Sequence, residues 1–272
     1  MSSRVHLISG LPRSGSTVLS ALLQQNPRFR AAVTSPIASL VSAVMPKMSG
    51  SSEFSVFFDD ARRRAILKGI FDSYYADAPA DHVVFDTNRI WTGKLALLND
   101  LYPQARIICC VRDLGWIIDS TERLLRKNPQ QLSRVFDYKP GTSIYSRAET
   151  LMNSENGLIG LAWSCLREAW FSQHANKLIV INYDSLVRKP LPVLQRLYQE
   201  LGEPWHDHDV ENIRYDEPEY DATLGMPGMH KVGTRIEYQN REACIPPDIF
   251  AKYADLSFWR KPEMNLRNVL ML

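Results

Sequence analysis

Apolar positions along the chain recur in two ways, as short unbroken runs and as stripes that return every three or four residues. The first kind suits strands buried between two layers, the second amphipathic helices. Val5, Leu7 and Ile8 form the first run, which Gly10 and Pro12 break. Val18, Leu19, Leu22 and Leu23 then fall on one stripe of a helix that begins near Ser14–Thr17. Positions 29–48, with the small and apolar AAVTSPIASLVSAVM, read as a connection followed by a helix, and Ile66, Leu67, Ile70 and Phe71 predict another over Ala61–Tyr75. Val83–Phe85 is a short buried strand, Lys94–Leu101 a helix stopped before Pro103, and Ala105–Val111 (ARIICCV) a strand apolar enough for the middle of a parallel sheet. Further helices carry Trp116, Ile117, Leu124 and Leu125, span Leu158–His174, and follow the strand Lys177–Asn182 (KLIVIN) at Pro192–Leu201; Ile245–Tyr253, with its paired prolines, is the last.

Strands alternating with helices predict an α/β domain around a parallel sheet. With 272 residues and 45% hydrophobic content, one large domain can bury a substantial core. A net charge of +2 with 23% charged residues is too balanced for a nucleic-acid partner, so any positive field belongs to a local site. No apolar run is long enough to cross a membrane and the first residues lack the features of a secretory leader. The expectation is a soluble, cytoplasmic protein without a membrane partner; the oligomeric state is not legible. Cys109, Cys110, Cys165 and Cys244 show no ligand spacing, and His206 and His208 (WHDHD) have no third ligand nearby, so no metal is expected.

The candidate chemistry begins where the first strand meets its helix, in GLPRSGST (10–17). The leading N–H groups of a helix have no intrahelical acceptor and its dipole end is positive, which makes this junction an anion site. Gly10 and Gly15 let the backbone wrap an anion closely, and Ser14, Ser16 and Thr17 add hydroxyls. Their spacing is that of a nucleotide triphosphate P-loop, but Ser16 stands where that loop requires Lys, and the cation is Arg13 instead. A shorter anion such as a 5′-phosphosulfate fits better than a hydrolysable triphosphate.

The stretch GLPRSGSTVL resembles the 5′-phosphosulfate loop of the sulfotransferase family, close to the PRSGTT form of protein-tyrosine sulfotransferases and their bacterial relatives. The resemblance implies a P-loop-like three-layer α/β/α fold with a central parallel sheet, the donor 3′-phosphoadenosine 5′-phosphosulfate (PAPS), the product PAP and no metal. It also assigns Pro12, Arg13, Ser14, Gly15, Ser16 and Thr17 to the donor. Arg112, at the end of the ARIICCV strand, and Ser120 eight residues on match the family's 3′-phosphate site, and Tyr183, in YDSL, the residue beside the adenine. The family's base and cation lie on the strand that here ends in DTNR, which makes Asp86 and Arg89 catalytic candidates, while Asp86 equally reads as a cap on the helix starting near Thr92. A basic, glycine-rich loop (YDATLGMPGMHKVGTR) brings His230, Lys231 and Arg235 as donors closing over the cofactor, and His230 is the rival base, since an imidazole ordinarily changes charge near neutrality. The catalytic Glu that protein-tyrosine sulfotransferases carry after the first helix is absent from Ala31–Ser35.

The polar segment 128–156, with Phe136, Tyr138 and Tyr145, reads as a cap over the acceptor side of a single 1–272 domain. The predicted reaction is sulfuryl transfer from PAPS to a hydroxyl or amine of a small cytosolic acceptor. A Mg-ATP-dependent kinase and a non-catalytic nucleotide-binding module are the alternatives.

Overall fold

In a computed structural model, residues 4–50, 52–127, 129–130, 133–136 and 143–272 are described. Six strands form one all-parallel sheet: β1 (Arg4–Gly10), β2 (Phe29–Ala31), β3 (Val83–Thr87), β4 (Ile107–Val111), β5 (Leu178–Asn182) and β6 (Leu270–Met271), in the order β2-β3-β1-β4-β5-β6. β1, flanked by β3 and β4, is central, and every residue of β3 and β4 is buried.

The helices are α1 (Ser16–Leu23), α2 (Ile37–Val44), α3 (Asp60–Tyr74), α4 (Leu95–Leu101), α5 (Leu114–Lys127), α6 (Ile144–Leu151), α7 (Gly160–Phe171), α8 (Tyr183–Arg188), α9 (Pro190–Leu201), α10 (Pro218–Thr223) and α11 (Pro247–Ala254). Alternation along the strands sorts them into layers. Ile108 and Cys110 of β4 face α1 and α9, meeting Leu19, Leu22, Leu194 and Leu197. Ile107, Cys109 and Val111 face the opposite layer, where Ile117, Leu166, Trp170 and Ile249 pack. The result is three layers, helix on sheet on helix, and Cys109 and Cys110 serve as free packing residues.

Two strands are absent from the hydrophobic pattern. Phe29–Ala31, read above as part of a connection, is β2, an edge strand whose Phe29 pairs with Val83 and whose Arg30 is exposed. β6 is two half-buried residues paired with Ile179 and Val180. Both are too short to show a period, and only the neighbouring strand makes them strands. In the stretch 215–235 the pattern shows only an irregular loop; α10 lies within it, and Tyr215 and Val232 form an antiparallel bridge that closes it into a folded lobe.

Candidate active site

Because β1, β3, β4 and β5 run the same way, their carboxyl ends share one edge, where open α/β sheets bind ligands. A cleft of about 1340 Å³ opens there, lined by the turns after these strands and by the 217–241 lobe. At its floor Gly10 sits at φ 100°, and a Cβ would lie 2.2 Å from the Cys110 carbonyl oxygen, so only glycine lets β1 turn against β4. Gly15, at φ 97°, precedes α1, which has no side-chain cap and no acidic residue in its first turn. Those uncapped N–H groups face the cleft beside half-buried Ser16 and Thr17.

Arg13 takes a left-handed backbone, φ 56°, unusual for a long side chain. Its Nε–H donates to Ser120 Oγ at 3.2 Å and its guanidinium to the Met229 carbonyl, so it leans toward α5 and bridges the first loop to the lobe. Burial, and then the nearby Arg112, lowers its pKa. Arg112, likewise lowered by burial, lies over the Tyr183 ring at 4.1 Å, and among the described residues no carboxylate forms an ion pair with it. Its neighbour Asp113 is engaged elsewhere, capping Gly115 N–H at 2.9 Å and pairing with Arg260. Pro12, Arg13, Gly15, Ser16, Thr17, Arg112, Ser120 and Tyr183 thus line one cleft.

Two expectations need correction. The Ser14 hydroxyl is turned into the fold, 1% exposed, against the carbonyls of Leu11 and Cys110, and lies outside the cleft lining. Asp86 does not face the cleft either. Alternation on β3 sends it into the core, fully buried, where it accepts from Tyr75 O–H and Trp91 Nε1–H at 2.7 Å each. Desolvation raises its pKa, and it caps no helix: the 3-10 turn Trp91–Lys94 has no side-chain cap. In this position Asp86 serves the fold as a buried hydrogen-bond acceptor.

His230 is placed differently. Its Nδ1 lies 2.5 Å from Oδ1 of Asp221, whose Oδ2 accepts the His230 backbone N–H at 2.9 Å. Asp221 is fully buried and His230 lines the cleft. With Nδ1–H donated to a buried carboxylate, Nε2 carries the lone pair, the arrangement by which a carboxylate orients an imidazole for proton transfer. Asp221 was not legible in sequence, since it lies nine positions before His230 in an irregular lobe. Arg241 was also missed; it lines the cleft, paired at 2.8 Å with the buried Asp119. Lys231 and Arg235 reach only the rim, exposed and paired with Asp216 and Glu237.

Arg89, after β3, also lines the cleft, and β1 lies between its strand and β4, which carries Arg112. From the stretch 133–158, Arg134, Val135, Thr150, Asn156 and Leu158 line the cleft, and α6 is clamped to α5 by Arg147 and Glu122 (2.7 Å). Tyr138 lies outside the described residues. Among the described residues no His, Cys, Asp and Glu group could hold a metal, and no helix is long and apolar enough to cross a membrane. His208 is instead buried, its Nε2 2.9 Å from Tyr198 Oη.

Known proteins place this architecture. Residues 7–207 match the sulfotransferase family, and the chain belongs to it. It is 22% identical over 206 residues to protein-tyrosine sulfotransferase 1 of Danio rerio, covering 74% of this chain and 53% of that protein. It is 28% identical over 210 residues to nodulation protein NoeE of Sinorhizobium fredii (strain NBRC 101917 / NGR234), covering 71% and 48%. The chain thus spans about half the length of the curated relatives it matches. Among solved structures, the sulfotransferase domain from the curacin biosynthetic pathway superposes with a TM-score of 0.53 at 15% identity, covering 94% of this chain and 97% of that one. A sulfotransferase from Alicyclobacillus acidocaldarius gives 0.52 at 16% identity, covering 82% and 90%. These two likenesses concern the α/β fold.

Proposed function

We propose that this protein transfers a sulfuryl group from PAPS to a hydroxyl or amine of a small-molecule acceptor. One observation carries the proposal: two half-buried guanidinium groups, Arg13 and Arg112, line a single cleft with the uncapped start of α1, and no described carboxylate is paired to either. Cations drawn partly out of water without a paired carboxylate are costly unless an anion joins them. An elongated anion with phosphate at two ends answers both positions. The α1 N–H groups, Ser16 and Thr17 hold its 5′ end, while Arg112, the Ser120 hydroxyl and Arg241 hold the 3′-phosphate. Bound there, the donor supplies an activated sulfuryl group whose departure leaves negative charge on the oxygen bridging to the 5′-phosphate. Arg13, held in place by Ser120 and Met229, stabilises that charge, and His230 Nε2, oriented by Asp221, takes the acceptor proton.

Thermal unfolding with added nucleotides tests the proposal. PAP stabilises the protein, by about 2.7 kcal/mol at a hundredfold excess over its dissociation constant, and ADP does much less because it lacks the 3′-phosphate. Equal shifts with ADP or ATP, above all if Mg²⁺-dependent, would turn the assignment to a kinase.

A further inference from the structure

The sulfuryl-transfer reading leaves Arg89, a half-buried cation of the cleft lining, without a role. Arg89 follows β3, whereas Arg112 follows β4 and Arg13 leans toward α5, the helix after β4. β1 lies between β3 and β4, so Arg89 and Arg112 start two strand spacings apart, about 10 Å. Their electrostatic surroundings are separate as well. Arg13 and Arg112 lie in one charged cluster with Tyr183 and Arg241, while the group acting on Arg89, apart from the burial that lowers its pKa, is Tyr220. Two guanidinium groups on one sulfuryl would repel each other at close range, and no such effect reaches Arg89. Among the described residues no carboxylate forms an ion pair with it; the acidic groups on that rim are engaged, Glu217 by Tyr215 O–H (2.7 Å) and Glu237 by Arg235.

Arg89 is therefore a half-buried cation, always protonated, that lines a cavity with no counter-ion among the described residues. Arg89, Tyr220 and His230 line the same cleft, and the ring of Tyr220 lies 5.5 Å from the ring of His230. An acceptor with its nucleophile at His230 Nε2 thus shares its cavity with Arg89. Resting on the sulfuryl-transfer reading, we infer that the acceptor is itself an anion, with a carboxylate, phosphate or sulfate group near its nucleophile. Arg89 holds that group with its planar donors and Tyr220 flanks it, which makes Arg89 the residue that selects acceptors by charge.

The test uses a panel of small hydroxyl compounds, each supplied as a carboxylate and as its neutral amide, titrated by calorimetry into the protein alone and into its PAP complex. At least one carboxylate is expected to bind tenfold or more tightly than its amide. Arg89→Gln should abolish that preference, Arg89→Lys should keep part of it, and both should bind PAP within about twofold of wild type. A panel in which no carboxylate outbinds its amide, whether because both bind equally or because neither binds, overturns the inference. So does a preference that survives Arg89→Gln, or a tenfold loss of PAP affinity in that variant, which would put Arg89 on the donor. If Arg89→Gln unfolds, Arg89→Lys with Tyr220→Phe carries the comparison. Failure of PAP to bind wild-type protein sinks the donor assignment instead, and the measurements on the protein alone still decide the role of Arg89.

Discussion

Arg13 combines a left-handed backbone with a half-buried guanidinium, two costs that a folded protein carries where they serve a site. Its hydrogen bonds to Ser120 and Met229 fix the head group before any ligand arrives. If it stabilises the leaving oxygen, Arg13→Ala lowers turnover at saturating donor by about 10²–10³-fold; unchanged turnover with weaker PAP binding would make it a binding residue only. The choice of base is equally exposed to experiment. His230→Ala should cost about 10²–10⁴-fold in turnover, and Asp221→Asn on the order of 10²-fold, with PAP affinity kept near wild type. Asp86→Asn should behave in the opposite way. It places an amide donor against Tyr75 O–H or Trp91 Nε1–H, so about 1–3 kcal/mol of stability is lost while turnover holds within a few-fold. An inactive but stable Asp86→Asn protein would restore Asp86 as the base.

Among the elements, the strand-turn-helix of β1 and α1 carries the site, and its geometry depends on contacts between strands. Gly10 passes beneath the Cys110 carbonyl, Leu11 N–H donates to that same carbonyl at 2.9 Å, and the Ser14 hydroxyl reaches it at 2.9 Å. Gly10→Ala brings a methyl group into backbone that cannot yield and imposes a positive φ on a residue with a Cβ. A loss of about 3 kcal/mol or more is expected, measured by urea unfolding. Gly15→Ala imposes a positive φ too, but its methyl group meets side chains and not backbone, Tyr183 at 3.1 Å and Leu186 at 3.4 Å, so it should cost less stability than Gly10→Ala and also weaken PAP binding through Tyr183 and its partner Arg112. A mild Gly10→Ala would mean that the loop tolerates a different path over β4.

At the scale of the molecule, two histidines are folded into the core neutral. His6 and His208 are 5% and 8% exposed, and burial lowers each pKa from 6.5 to about 4, helped by Arg4 and Arg106 at His6 and by His206 at His208. In the unfolded chain both bind protons near pH 6.5, so between there and about pH 4 the unfolded state holds more protons than the folded one. Stability is then complete above that window and falls with pH through it, by up to about 3 kcal/mol for each histidine. Asp86, whose pKa burial raises, works in the opposite sense and offsets part of the loss. The urea midpoint should drop clearly between about pH 7 and pH 4.5, and less so in His6→Asn; a flat profile would contradict the neutral-core account.

The division between what the sequence determined and what tertiary structure decided follows the range of the interactions. Strands β1, β3, β4 and β5 and the helix after the first loop announce themselves through local period and composition, because a parallel sheet covered on both faces demands unbroken apolar runs. Arg13, Ser16, Thr17, Arg112, Ser120 and Tyr183 could be named as donor candidates because each lies at a strand end or in the first turns of the helix after one, and the topology of the sheet then brings such positions to one edge. Side-chain direction was not available to the same reading. Asp86 and Thr87 are neighbours in sequence, yet alternation along β3 buries the first among Tyr75 and Trp91 and turns the second to the cleft. The pairing of His230 with Asp221, and of Arg241 with Asp119, depends on how an irregular lobe folds back across the sheet edge. No local period encodes such contacts; they exist because buried charges must find partners once the chain is compact, and they set where His230 and Arg241 stand in the cleft.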